Sequence, residues 1–274
     1  MYQLVNTAAN LLHSASIQRG LELPTPSSRR RCSLNFQTRN LPSLPSSVAF
    51  TLLAALLAAQ SGAAQKEFPP PQGKGRIVVV ASGMSGPEHY ETVSKEIAAL
   101  GYDVVLFDGN AMENTNGEGV RTAIDQAMQA PHGLPGKVAV VGFSLGGGMA
   151  LYYGVQWPEK VAGVVAWYPA NAFIKNVPGW VGKVKVPVLM FAGEKDNFRD
   201  GCCTAAKAHI LEDAGKSGGI SVELVTYPKT DHDFVKDGAH YNADAYADAF
   251  QRTAARLKEL LGNPNAPNAP NAGQ

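Results

Sequence analysis

Apolar residues gather in short continuous runs through the middle of the chain. The runs cover residues 76–81, 103–107, 138–141, 161–167, 186–192 and 221–227. The first five are rich in Val, Ile and Ala with almost no polar interruption, the pattern of strands buried on both faces of a parallel sheet. The sixth alternates polar with apolar, which suits a strand nearer an edge. Between the runs lie segments with helical spacing and helical stops. Pro87 opens residues 88–100, which end at Gly101. Residues 118–130 end before Pro131, residues 146–156 follow Ser144, residues 203–214 end at Gly215, and residues 242–261 end at Gly262. Strands alternating with helices predict an α/β fold: a mostly parallel sheet of about six strands, flanked by helices on both faces through right-handed crossovers.

The two ends of the chain break this pattern. Residues 1–47 hold Arg19, Arg29, Arg30, Arg31 and Arg39 against one acid, Glu22. The apolar run 48–59 follows, then the small residues Ser61, Gly62, Ala63 and Ala64. A basic stretch, a short apolar stretch and a small-residue site read as a signal peptide in a leader spanning 1–64, with export to the periplasm or outside the cell. The apolar run is shorter than the roughly 20 residues a bilayer span needs, so no stable span is expected after cleavage. An organelle transit peptide is the alternative, given the length and Arg/Ser content of the leader. Residues 65–75 read as a linker and 76–262 as the folded α/β domain. Residues 263–274 repeat Pro-Asn-Ala, carry nothing larger to bury, and read as a disordered tail.

Composition narrows the partners. The formal charge is +1 and apolar residues make up 45%. No basic excess exists to neutralise phosphates, so nucleic acid is not an expected partner. Cys32, Cys202 and Cys203 are too few for a disulfide scaffold and lack zinc-site spacing.

The chemistry starts at Gly142-Phe143-Ser144-Leu145-Gly146, a Gly-x-Ser-x-Gly between an apolar strand and a helix. In that order the turn lifts the serine Oγ above the sheet, and the glycines keep backbone clear of backbone. The same pattern recurs at Gly215-Lys216-Ser217-Gly218-Gly219, but there it follows a helix and precedes a strand, so it reads as a flexible loop. A serine nucleophile needs a base and an orienting acid, in the chain order Ser, Asp or Glu, His. His232 follows the last strand at its C-terminal end, with His240 in reserve a few residues on. Asp196 and Glu194 share the loop after the run 186–192, and Asp196 has more room to reach back. The oxyanion hole needs two backbone N–H groups. Leu145 supplies one, and the loop 82–87 supplies the other at Met84.

These residues resemble the dienelactone hydrolase family of the α/β-hydrolases over most of residues 76–260. The resemblance rests on Gly142 to Gly147, Phe191 to Asp196, and Tyr227-Pro-Lys-Thr-Asp-His-Asp-Phe234. It implies the α/β-hydrolase fold, a triad of Ser144, Asp196 and His232, and no metal or organic cofactor. The departures are chemical. Ser144 stands where the family typically carries cysteine. Ser82 and Gly83 replace its His-Glu pair, and Thr230 and Asp231 stand where an arginine helps hold a lactone carboxylate. A serine esterase acting on a small-molecule carboxylic ester or lactone therefore fits better than dienelactone hydrolysis.

Two readings of Cys202-Cys203 stand: a vicinal disulfide that stiffens the Asp196 loop, or two small apolar residues at a helix start. Tyr168, Phe173 and Trp180 fall in a short connection, 168–185, where they either wall the substrate pocket or pack as core. Beside a dienelactone hydrolase-like enzyme with a different ester or thioester substrate, two other functions compete: a non-catalytic binding protein on the same fold, and a thiol-redox role for the cysteines. The complete Ser-Asp-His set argues against the first, and the missing Cys-x-x-Cys against the second.

Overall fold

The computed structural model describes residues 65–264, so the leader and nearly all of the Pro-Asn-Ala tail lie outside the described residues. Seven strands form one sheet in the order β1-β3-β2-β4-β5-β6-β7. They are β1 (Gln65–Phe68), β2 (Ile77–Ala81), β3 (Asp103–Phe107), β4 (Val138–Phe143), β5 (Val161–Trp167), β6 (Val188–Gly193) and β7 (Val222–Tyr227). Strands β2 to β7 run parallel, and β1 pairs antiparallel with β3. The six apolar runs are thus the six parallel strands. The seventh strand, β1, falls where a linker was expected. Its sequence, Gln-Lys-Glu-Phe, buries only Phe68, so hydrophobic patterning gives no sign of it.

Period-two alternation explains why the central strands are apolar throughout. In β2, Ile77, Val79 and Ala81 enter the core on one face, with Val105, Phe107 and Val140 from the neighbouring strands. Val78 and Val80 enter the core on the other, with Val104, Leu106, Val141 and Phe143. The first face is covered by α2 (Glu118–Ala127), α3 (Ser144–Tyr152), α4 (Val177–Lys183) and α5 (Ala205–Ser217). The second is covered by α1 (Glu91–Ala99) and α6 (Ala243–Leu261). Strand β7 is an edge strand and only its first residue is buried, consistent with its alternating sequence.

Helix α4 departs from the expected bare connection over 168–185. Asn176 caps it by accepting the Gly179 N–H at 2.9 Å, and Pro178 sits in its first turn. Seven residues carrying two glycines and a proline are a weak helical signal. Helix α5 also runs on to Ser217, two residues past the predicted stop at Gly215. Gly215 is buried against Val222, so it is a packing glycine, and the turn comes at Gly218 and Gly219.

β4 is the middle strand. The chain lays β3 on one side of β2 and β4 on the other, so the strand order reverses between β2 and β4. Crevices at the C-terminal ends of parallel strands open at such a reversal.

Candidate active site

Ser144 sits at that reversal, as the first residue of α3 directly after β4. Its φ is +47°, a left-handed conformation that costs a non-glycine residue about 1–3 kcal/mol. Tight packing imposes it. A Cβ at Gly142 would lie 2.6 Å from Gly146 O, and one at Gly146 would lie 2.5 Å from Ser82 O and closer still to Ala81 O. The glycines let β4, α3 and the end of β2 approach backbone to backbone. Gly146 N–H donates to Ser82 O at 3.1 Å, and Ala170 N–H donates to Ser144 O at 2.8 Å.

Ser144 Oγ lies 3.0 Å from His232 Nε2, and His232 Nδ1 lies 2.7 Å from Asp196 Oδ2. Ser144, Asp196 and His232 are each about 95% buried. The second Asp196 oxygen accepts the Phe198 N–H at 3.1 Å, which fixes the carboxylate. The acid loop is tied to the histidine loop by Lys195 N–H to Thr230 O at 3.0 Å. A Cβ at Gly193 would meet the Thr230 and Asp231 carbonyls, so glycine lets these loops close. Glu194, the other candidate acid, points elsewhere and accepts from Thr226 Oγ1 at 2.9 Å.

The His232 ring is held on two sides. Phe198 stacks on it with centroids 4.4 Å apart and planes 7° apart, and Tyr168 meets it edge-on at 4.9 Å. Asp233, also at positive φ, extends this scaffold. Its carboxylate accepts from Tyr168 Oη at 3.3 Å and from the Ala239 N–H at 3.0 Å, and pairs with His89 Nε2 at 3.0 and 3.1 Å. Burial, then the charge of Asp233, pushes the Tyr90 phenol well above its usual range. Burial does the same to Tyr168, aided by Tyr90 and Asp233. Both phenols therefore stay neutral hydroxyls in the working pH range.

A cleft of about 90 Å³ opens at the dyad, lined by Met84, Ser85, Tyr90, Ser144, Phe198, His232, Asp233, Ala239 and His240. A larger groove of about 300 Å³, between α1 and α6, shares no residue with it. Met84 borders the site cleft, and Leu145 opens the first turn of α3, where N–H groups lack intrahelical acceptors. His240 lines the cleft, but His232 is the ring against Ser144. None of Tyr168, Phe173 and Trp180 lines it. Trp180 is core, its indole N–H donating to Leu151 O at 2.7 Å. Phe173 packs edge-on against Tyr152, and Tyr168 lies behind His232. Sequence reasoning missed Phe198, His89, Tyr90 and Asp233. Asp233 alone left a trace, as the neighbour of the base.

Cys202 and Cys203 are joined in a disulfide. Cys202 O accepts from Asn171 and Ala172 N–H at 3.1 and 3.0 Å, tying the segment after Asp196 to the loop after β5. The Cys203 sulfur lies within 4.8 Å of ligand atoms of Asp196 and His232. All three groups are engaged, in the disulfide and in the dyad, so this cluster offers a metal little. A second cluster, Glu67, Asp103 and His132, lies at the other end of the sheet.

Residues 107–261 match the dienelactone hydrolase family. The chain belongs to that family. Its mostly parallel sheet with helices on both faces is the α/β-hydrolase fold. Among curated proteins it is similar to Protein usf of Aquifex pyrophilus, 25% identical over 145 residues. That match covers 52% of this chain and 59% of the relative, so the chain spans under two thirds of the relative's length. A solved structure described as a putative dienelactone hydrolase from Klebsiella pneumoniae aligns with TM-score 0.61 at 21% identity, over 71% of this chain and 92% of that one. Thermogutta terrifontis esterase 2, phosphorylated by paraoxon, aligns with TM-score 0.59 at 16% identity, over 74% and 90%. No helix among the described residues is long and apolar enough to cross a membrane.

Proposed function

We propose that the protein is a serine carboxylesterase that works through an acyl-enzyme on Ser144. The observation that carries this reading is the unbroken hydrogen-bonded line from Ser144 Oγ through His232 to Asp196. His232 Nε2 takes the Ser144 proton as Oγ attacks the ester carbonyl carbon. Charge developing on the carbonyl oxygen is met by the Leu145 and Met84 N–H groups and by the N-terminus of α3. Collapse breaks the ester bond. The alcohol leaves with the proton from His232, and Ser144 is left acylated. Water, deprotonated by His232, then attacks the acyl carbon, which releases the carboxylic acid and restores Ser144. Asp196 holds the imidazole tautomer and offsets the charge on the imidazolium.

The cleft is small, about 90 Å³, which favours a short acyl group. The Asp233 carboxylate in its wall disfavours anionic substrates, in keeping with Thr230 and Asp231 standing where a lactone-binding arginine would be.

The test is hydrolysis of p-nitrophenyl acetate and octanoate, with a fluorophosphonate probe and paraoxon as labels. Acetate should turn over faster than octanoate, and both reagents should modify Ser144. An unlabelled Ser144 in an enzyme that still turns over would sink the mechanism. Residues 48–64 further support export, tested by sequencing the mature N-terminus. A mature chain that still carries residues 48–59 would count against signal cleavage.

A further inference from the structure

A second set of ionisable groups gathers at the N-terminal end of the parallel strands, away from Ser144. Glu67 comes from β1, Asp103 is the first residue of β3, and His132 lies in the turn between α2 and β4. Their ligand-capable atoms all lie within 4.8 Å of one another. His132 Nδ1 is 3.0 Å from Glu67 Oε1, and the His132 N–H donates to the same oxygen at 3.3 Å. Asp103 is the anomaly. It has 0% exposure, and neither of its carboxylate oxygens has a hydrogen-bond partner among the described residues. Native proteins rarely leave a buried carboxylate so, because its lost hydration is not replaced.

We propose that Glu67, Asp103 and His132 form a site for a divalent cation. The ion would give the orphaned Asp103 oxygens a partner and neutralise two facing carboxylates at once. One imidazole and two carboxylates suit Zn²⁺ or Mn²⁺ better than the all-oxygen ions Ca²⁺ and Mg²⁺. The histidine is held in place. Gly75 N–H donates to His132 O at 2.9 Å and Leu134 N–H to Gly75 O at 2.8 Å, which fixes the turn. The His132 side chain is 48% exposed, which leaves an entry path and room for water ligands. The three ligands come from segments far apart in sequence, so the ion would pin the edge strand β1 to the sheet. The rival explanation is a proton shared between Asp103 and Glu67, which needs no metal.

The two explanations separate by titration. The full chain, stripped with EDTA, is titrated calorimetrically with Zn²⁺ or Mn²⁺, with Ca²⁺ as the comparison, while its melting temperature is followed. A site of this kind binds one Zn²⁺ or Mn²⁺ more tightly than Ca²⁺, and saturation raises the melting temperature by several degrees. His132→Ala and Asp103→Asn should each weaken binding at least tenfold and leave ester turnover unchanged. His132 is exposed, so its variant should fold even if Asp103→Asn does not. The proposal fails if wild type binds neither Zn²⁺ nor Mn²⁺, or if His132→Ala binds them as tightly as wild type.

Discussion

Residues 142–146 and 215–219 share one five-residue pattern and have opposite fates. At 142–146 the chain leaves the central strand, turns through a left-handed serine, and enters a helix packed on three strands. At 215–219 the chain leaves a helix, and Ser217 is its exposed last residue before the edge strand β7. The first serine is strained and buried, and faces a base. The second is unstrained and wet, and nothing chemical surrounds it. The position of the strand, before or after, makes the difference. Only a parallel strand feeding a helix points the turn at the crevice where loops from other strands converge.

The largest effect should separate the two serines outright. Ser144→Ala should lower kcat for p-nitrophenyl acetate by about 10⁶-fold, the scale of losing a nucleophile that acts as one unit with its base. Ser217→Ala should stay within about twofold of wild type. Loss of activity in the Ser217 variant at unchanged melting temperature would erase the distinction.

Next comes the acid. Asp196→Asn keeps the shape but presents an amide to His232 Nδ1, favouring the wrong tautomer, so kcat should fall about 10⁴-fold. Glu194→Gln, in the same loop but bonded to Thr226, should leave kcat within about twofold. Comparable losses in both variants would assign the loop, and not the single carboxylate, to the chemistry.

The glycines test the packing side of the contrast. Gly146→Ala drives a methyl into the Ala81 and Ser82 carbonyls and should cost about 3 kcal/mol or more in urea denaturation. Gly219 has positive φ but nothing within 4 Å of an added Cβ, so Gly219→Ala should cost only about 1 kcal/mol of backbone strain. Equal costs would mean that the elbow relaxes and its glycines are not structurally required.

Much of this architecture is written in patterns that depend on near neighbours in sequence. The six parallel strands were legible because each is buried on both faces and so is apolar throughout. The three residues of the hydrogen-bonded line, Ser144, His232 and Asp196, were legible because each sits just after a strand's C-terminal end, where the crevice of such a sheet opens. Strand β1 was not, since three of its four residues stay out of the core. Helix α4 was not, because its two glycines and proline are weak helix formers and its burial depends on Trp180 reaching Leu151. The sequence left Tyr168, Phe173 and Trp180 open between cleft wall and core for a related reason. Aromatic residues in a connection suggest a pocket, yet Trp180 turns into the core. Phe198 reaches the site by stacking on His232, 34 positions further along the chain, a contact no local pattern carries. Tyr90, His89 and Asp233 meet across 144 positions of sequence, which no local pattern carries.

That long-range network supplies the smallest and most discriminating contrast. Asp233 accepts from Tyr168 and Ala239, pairs with His89, and immediately follows the base. Asp233→Asn keeps the volume and removes the charge, and a hydrogen bond to a charged group contributes about 1.5 kcal/mol or somewhat more. Stability should fall by about that amount and kcat by up to about tenfold, because the loop that aims His232 loosens. Asp213, exposed on α5 beside the second serine, makes a control whose change to Asn should stay within about 0.5 kcal/mol. If Asp233→Asn lost stability but kept full kcat, the network would hold the loop without aiming the base. The elbow region would then owe its activity to the triad alone. If kcat fell with stability unchanged, the charge of Asp233 would itself act on His232, and the boundary of the active region would move outward to His89.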